Sequence, residues 1–360
     1  MSDEHLLVFV TQSFNLNIFS AKMRFAGKFI LSFTALLIYC QSDVCAQNPN
    51  DNPPSLVAET IKRLQAKATP ENLSIARNVG FGLLKSNNFA QAEIVFAEIL
   101  VKSPGDGLSL YGKALSSFNL KRYAEAETAV AAANNLFKKQ KNNASLADGL
   151  VLSAVISAVT DDNPAAIEKL KTAIGIMPSH FDAHFSLGRA FFGNGDLDNA
   201  VNAFRQSVRL QPKNIKANFF LATALERSGD SEAALNAYRE LIMIAPNVAD
   251  GYLGLGVLLI KTEGANSAEA IKNLQKAVAI NQNLYEARLG LGKILLQQNK
   301  SNEALIHLRK AVELLPDNPE PHYQLLQVYR KLGKKSEVEA EQIIIKKIHE
   351  NHRGSTSAPR

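Results

Sequence analysis

Small and large apolar residues recur along most of this chain at fixed distances from a set of regularly spaced prolines. Pro178, Pro212 and Pro246 lie 34 residues apart, and Pro316 follows 70 residues later, which is two periods plus two residues. Gln282 occupies the proline slot between Pro246 and Pro316. An alanine stands twelve residues before each of the last four proline slots, and a bulky apolar residue stands eight before: Ala200, Ala234, Ala270 and Ala304, then Phe204, Tyr238, Leu274 and Leu308. A period of this length is typical of two helices and a turn, so the pattern predicts stacked helix pairs.

The first helix of each predicted pair has its own small-residue slot. A leucine followed by glycine or alanine occurs there, with a large apolar residue three positions on: Leu187-Gly188, Leu221-Ala222, Leu255-Gly256 and Leu291-Gly292, then Phe191, Leu225, Leu259 and Leu295. Small side chains at a crossing let two helices approach closely. Gly195 and Gly229 fall between the paired helices, where a left-handed residue reverses the chain.

These slots resemble the tetratricopeptide motif, W-x2-L-G-x2-Y followed by Ala, Phe and Pro. The tryptophan slot departs from the motif, since it holds other residues: Leu150, His184, Asn218, Tyr252, Arg288 and His322. The resemblance implies an all-α, right-handed superhelical solenoid of helix-turn-helix repeats over residues 73–350. We place the repeat starts near 73, 107, 147, 181, 215, 249, 285 and 319.

Three segments do not follow the regular 34-residue repeat. Residues 139–146 add about six positions between the second and third repeats, and we expect them to form a surface loop or hinge. Residues 47–70 are expected to form a linker and a capping helix from Ser55 to Ala66, and residues 351–360 a disordered tail.

The N-terminal region has the layout of a secretory signal peptide. Arg24 and Lys28 precede an apolar run over residues 29–40, and a polar stretch then ends at Ala46, after which we expect cleavage. The apolar run is too short to span a bilayer as a helix. The chain is therefore predicted to be exported to a periplasmic or extracellular space, with no stable membrane span after cleavage.

The chain's two cysteines, Cys40 and Cys45, lie within this region, so the mature chain would have none. Lipidation at Cys40 stays open, although the bulky Tyr39 before it fits a lipoprotein signal poorly.

Charge and motifs exclude several classes of function. Much of the net charge of +6 comes from the C-terminal region, where the pattern favours a solvated last helix over contact with an acidic partner or anionic lipid. The histidines form no HExxH pair, and His184 and His322 fall in the tryptophan slot, which favours a packing role. Gly254-Leu-Gly256 and Gly290-Leu-Gly292-Lys293 lack the spacing of phosphate loops. We therefore predict no enzymatic activity, no cofactor and no metal.

The resemblance implies that a partner binds the concave face, which is formed by the first helices. The family's groove slots fall here on a mainly apolar set with a few basic members: Tyr111, Phe118, Phe185, Arg189, Phe192, Phe219, Thr223, Arg227, Leu253, Val257, Leu289, Lys293, Tyr323, Gln327 and Arg330. The lysine and asparagine clamp that some members use for a terminal carboxylate is absent. Apolar residues in these slots could equally pack between repeats, and the sequence leaves both interpretations open.

Three functions are compatible with these features to different degrees. The leading hypothesis is an exported scaffold that binds a protein or peptide and supports an envelope assembly, secretion or polysaccharide system. The alternative is a non-catalytic accessory subunit of an enzyme such as a glycosyltransferase. Nucleic-acid binding would fit the pI of about 9.1, but predicted export and the lack of an arginine-rich stripe argue against it.

We predict that translation begins at Met23, because Asp3 and Glu4 precede a second apolar stretch, which is an unusual preface to a signal. A reporter fused behind residues 23–46 should be exported, and sequencing of the exported product should begin at Gln47. Loss of export when residues 1–22 are removed would contradict this start.

Overall fold

The computed structural model describes residues 53–264 and 267–356, and every regular element in these ranges is an α-helix. The predicted signal at 1–46 and most of the predicted linker lie outside the described residues. The described chain forms two compact units that divide between Pro212 and Lys213. In both units consecutive helices pack as pairs, which confirms the predicted all-α solenoid of helix-turn-helix repeats.

The N-terminal unit contains nine of the described helices. They are α1 Pro53–Ala66, α2 Pro70–Lys85, α3 Phe89–Lys102, α4 Gly107–Asn119, α5 Tyr123–Lys139, α6 Asn143–Val159, α7 Asn163–Ile176, α8 Phe181–Gly193 and α9 Leu197–Leu210. Helix α1 packs against α2 and α3, with Val57 and Leu64 buried. It covers apolar surface that the first repeat would otherwise expose at its end.

The C-terminal unit contains the remaining eight described helices. They are α10 Ile215–Ser228, α11 Ser231–Ile244, α12 Ala249–Glu263, α13 Ala268–Ile280, α14 Tyr285–Gln297, α15 Ser301–Leu314, α16 Pro319–Lys331 and α17 Lys335–Thr356. The first helices of its repeats are therefore α10, α12, α14 and α16. Helix α17 continues to Thr356, so residues 351–356 are helical and the expectation of a disordered tail is wrong for them.

The extra residues near 140 do not form the expected surface loop or hinge. Helix α5 ends at Lys139 and α6 begins at Asn143, so only three residues connect them, and both helices have 17 residues. Phe137 is 1% exposed, and the Asn142 side chain accepts a hydrogen bond from the Ser145 N–H at 3.2 Å. Packing and capping thus lengthen two helices, and the third repeat begins at Asn143 instead of near 147.

The turns within the repeats place a residue in the left-handed region. Gly195 has φ 79° and Gly229 has φ 90°, as expected for glycines that end a first helix. Four other turns use a residue other than glycine: Asn87, Lys121, Asp161 and Asn299, with φ between 60° and 63°. The chain reverses in the same way at these positions even where glycine is absent.

Close helix crossing depends on the glycine slot. A Cβ added to Gly188 would lie 2.6 Å from the ring of Phe204, and one added to Gly292 would lie 2.5 Å from Leu308. Such distances are far below van der Waals contact, so the large side chain of the second helix occupies the space that glycine leaves. Each of these pairs joins the two helices of one repeat.

Polar contacts join neighbouring repeats in the N-terminal unit. Glu127 on α5 accepts hydrogen bonds from Ser153 on α6 at 2.7 Å and from Lys169 on α7 at 2.9 Å. One repeat earlier, Glu93 on α3 forms an ion pair with Arg122. These contacts are partly shielded from water, and they fix the register in which one repeat stacks on the next.

We predict that Ala234→Leu destabilises the protein by roughly 1–3 kcal/mol through overpacking. Ala234 is fully buried in the alanine slot of α11. Thermal unfolding should show a lower midpoint for this variant, whereas the matched Ala279→Leu, at an exposed position of α13, should leave it nearly unchanged. Equal midpoints for the two variants would contradict the slot assignment.

Candidate functional site

The first helices of the C-terminal unit present side chains that a partner could contact. On α12, four residues at spacings of three and four lie along one stripe: Asp250, Leu253, Val257 and Lys261. Val257 is 40% exposed, Lys261 is exposed, and the other two are half-buried. The stripe thus runs from a carboxylate over two apolar residues to a cation.

Helix α16 has a stripe of the same layout. Glu320 lies at its start, Tyr323 is 41% exposed, and Gln327 and Arg330 follow in exposed positions. The Tyr323 hydroxyl lies 2.8 Å from Nε2 of His349 on the last helix, and the two rings are 6.2 Å apart. This contact fixes an aromatic side chain on the first-helix surface without burying it.

The stripes of α10 and α14 are less accessible. Phe219 and Thr223 on α10 are half-buried, while Arg227 is exposed. On α14, Leu289 is only 7% exposed, and Lys293 forms an ion pair with Glu320 of α16. Leu289 therefore packs between helices, and the charge of Lys293 is already balanced within the protein.

The predicted groove residues of the N-terminal unit are mostly interior. Tyr111, Phe118, Phe185 and Phe192 are between 7% and 9% exposed. Phe185 packs on Phe204 with ring centroids 5.8 Å apart. Side chains buried to this extent pack mainly against other residues of the protein, which favours the packing interpretation for these four residues.

Arg189 is the basic member of the predicted set in the N-terminal unit. It lines a small cleft whose other walls are mainly small or apolar side chains of α6, α7 and α8: Ala154, Val155, Ala158, Ala166, Leu170, Ser186 and Ala190. Burial lowers the pKa of Arg189 to about 10, which leaves the guanidinium charged at neutral pH.

Residues in the motif's tryptophan slot have a structural role. In three repeats the slot residue donates to the carbonyl at the proline slot six positions earlier: His184 Nε2 to Pro178 at 2.9 Å, Arg288 Nε to Gln282 at 3.1 Å, and His322 Nε2 to Pro316 at 3.0 Å. Each bond ties the first helix to the turn that precedes it, as the predicted packing role requires.

The two glycine pairs that loosely resemble nucleotide loops lie inside helices α12 and α14. An added Cβ would lie 2.9 Å from Leu274 at Gly256 and 2.5 Å from Leu308 at Gly292. These glycines are needed for helix contact, and their backbone N–H groups belong to helical hydrogen bonding. Neither pair forms a phosphate-binding loop.

The sequence prediction missed a set of acidic residues at the start of the stripes. An Asp or Glu stands three residues before the groove slot in five repeats, a position that we call the acid slot: Asp148, Asp182, Asp250, Glu286 and Glu320. In the C-terminal unit, burial is the main cause of the raised pKa of Tyr285, and the carboxylates of Glu320 and Glu286 raise this pKa further. Both carboxylates therefore act on the Tyr285 hydroxyl. The constant three-residue offset was visible in the sequence.

Asp250 is the acid-slot residue with the most unfavourable surroundings in the C-terminal unit. Burial raises its pKa, its own backbone N–H opposes this effect, and the nearby Glu286 carboxylate raises the pKa further. Among the described residues, Asp250 forms no ion pair. A half-buried carboxylate without an ion-pair partner attracts a cation.

Family models match the chain over most of the repeat region. The model described as tetratricopeptide repeat matches residues 82–135, 160–215 and 185–249, and one described as TPR repeat matches residues 292–333. The chain belongs to the tetratricopeptide repeat (TPR) family. Comparison with curated proteins finds no match.

Solved structures agree with the TPR fold. The C-terminal part of a TPR repeat-containing protein from Cytophaga hutchinsonii superposes with a TM-score of 0.57 and 17% identity, covering 69% of this chain and 99% of that one. Cut9–Hcn1 of the APC/C superposes with a TM-score of 0.52 and 15% identity, covering 77% of this chain and 52% of that one. PilF from Pseudomonas aeruginosa superposes with a TM-score of 0.51 and 15% identity, covering 57% of this chain and 93% of that one. At these identities the likeness concerns the fold alone.

None of the helices in the described ranges 53–264 and 267–356 of this TPR chain has the length and apolar character needed to cross a bilayer. No group of three or more His, Cys, Asp or Glu side chains in those ranges is arranged to hold a metal ion.

We predict that Asp250→Asn raises the thermal unfolding midpoint at pH 7. A folded-state pKa above the unfolded one means that the protonated carboxyl stabilises the fold below the unfolded pKa, and that this stabilisation is lost as pH rises through the folded pKa. Asparagine imitates the neutral form, so its advantage should shrink as pH falls towards 4. Thermal unfolding midpoints measured between pH 7 and pH 4 test the direction of this effect, with Glu240→Gln on the exposed surface of α11 as the control. A lower midpoint for Asp250→Asn at pH 7 would contradict it.

Proposed function

We propose that this TPR protein is an exported scaffold that binds a protein or peptide partner on the first-helix surface of its C-terminal unit. One observation carries the proposal: α12 and α16 expose Val257 and Tyr323 by 40% and 41% on stripes whose ends are charged. Apolar and aromatic side chains within a polar rim are typical of partner-binding surfaces. The family supports a role in protein interaction.

Export of the scaffold is proposed from the sequence of residues 23–46, whose layout fits a secretory signal. A periplasmic or extracellular scaffold would act within an envelope assembly, secretion or polysaccharide system. The absence of catalytic motifs in the sequence favours a non-catalytic role, and the accessory-subunit alternative differs only in the partner, which would then be an enzyme.

We predict that Val257→Asp combined with Tyr323→Ala abolishes partner capture by the mature chain, residues 47–360. The bait is incubated with an envelope fraction, and retained proteins are compared by quantitative mass spectrometry. The double variant removes the two exposed apolar contacts while leaving the buried slots intact, so helicity measured by circular dichroism should not change.

Met243→Asp provides the matched control, because Met243 is 75% exposed on α11, a second helix, and has an apolar side chain. It should retain the partner. Capture that is unaffected by the double variant, or lost equally with Met243→Asp, would contradict the assignment to the first-helix surface. An enzyme as the stoichiometric partner would favour the accessory-subunit alternative, and nuclease-sensitive capture would overturn the protein-binding proposal.

A further inference from the structure

The internal repeat allows equivalent acid-slot residues to be compared within one chain. Asp148 on α6 of the N-terminal unit occupies the acid slot of the third repeat, and Nε2 of His180 donates to it at 2.9 Å. His180 is the residue just before the first helix of the next repeat, α8. In that repeat, the acid-slot carboxylate therefore accepts a hydrogen bond from the residue at the start of the next first helix.

The equivalent arrangement around Asp250 lacks the donor. The residue just before the next first helix, α14, is Leu284, whose side chain is apolar and 3% exposed. A leucine there cannot donate a hydrogen bond to the carboxylate. Asp250 keeps the acidic residue of the repeat without the partner that Asp148 has, and Glu286 adds a second negative charge nearby.

Helix capping alone does not explain the acid slot. An acidic side chain in the first turn of a helix is stabilised by the helix dipole, and Asp250, Glu286 and Glu320 all lie in the first turns of their helices. Asp148, however, lies beyond the first turn of α6, which begins at Asn143. Since the acid stays in the slot when the helix start moves, the slot is defined by the first-helix surface.

We propose that Asp250 receives a positively charged side chain of the partner, so that the first-helix surface of the C-terminal unit selects a segment in which lysine or arginine adjoins an apolar anchor. This inference rests on the proposed function. The apolar anchor contacts Leu253 and Val257, which lie one and two turns along the same stripe of α12. A cation is favoured over a neutral donor because a charge-assisted hydrogen bond to the Asp250 carboxylate is stronger than a neutral one.

A peptide-display experiment on the purified chain tests the inference. A random peptide library is selected on the wild-type chain, and peptides that also bind Val257→Asp are discarded, so that only those using the α12 stripe remain. We expect lysine or arginine next to leucine or an aromatic residue in the remaining pool. Selection on Asp250→Lys should enrich aspartate or glutamate instead, and Glu240→Gln, an exposed charge change on the second helix α11, should reproduce the wild-type pool.

Synthetic versions of one selected peptide make the test quantitative. Replacing its basic residue by glutamine should weaken binding to the wild-type chain by about tenfold, or ~1.4 kcal/mol. The same replacement should have almost no effect on binding to Asp250→Asn. Circular dichroism and unfolding midpoints establish that the variants are folded.

The failures of the two proposals are distinguishable. If no peptide depends on Val257, the first-helix surface is not a binding site and the proposed function fails. If peptides depend on Val257 but show no enrichment of basic residues, the role of Asp250 is overturned. The same holds if the ratio of dissociation constants for the glutamine and lysine peptides is equal in Asp250→Asn and the wild type. In both cases the surface remains a binding site.

Discussion

The close crossing of the two helices in each repeat is the constraint on which the other features depend. Phe204 fills the space beside Gly188, and Leu308 fills the space beside Gly292, at distances where any added carbon would collide. This interlock holds the second helix against one side of the first and leaves a different side of the first helix for other contacts. On α12, Gly256 and Leu259 are buried. The stripe on this helix is more accessible, with Val257 and Lys261 exposed and Asp250 and Leu253 half-buried.

The fold was predictable from the sequence because its determinants are residue types at fixed offsets. Alanine at position 200 and glycine at position 188 are required by a steric contact that leaves few alternatives. The region around residue 140 was not predictable in the same way. Polar residues such as those at 139–143 can form either a loop or helix ends, and the outcome depends on the packing of Phe137 and the cap from Asn142.

The candidate site was predictable only in part. Helix periodicity identifies which side of a first helix carries Phe118 or Val257, but it does not determine how closely neighbouring helices cover that side. Phe118 is buried near Tyr123, with ring centroids 5.7 Å apart, whereas Val257 stays exposed. Coverage depends on side chains from other parts of the chain, and a projection of motif slots does not include them.

Asp250 illustrates how a repeat protein can carry a residue whose surroundings oppose its charge. In the repeat of Asp148, the acidic side chain on α6 accepts a hydrogen bond from His180 at the start of the next first helix, α8, so the pair contributes to stacking. In the repeat of Asp250, the apolar Leu284 improves burial at the following helix start and removes the donor. With leucine in place of a donor, the acidic side chain lacks the hydrogen bond that Asp148 has, and its negative charge is not balanced by that neighbour. A charge that costs stability in the isolated protein is a feature that selection for folding alone would not favour, and a cationic partner would remove that cost.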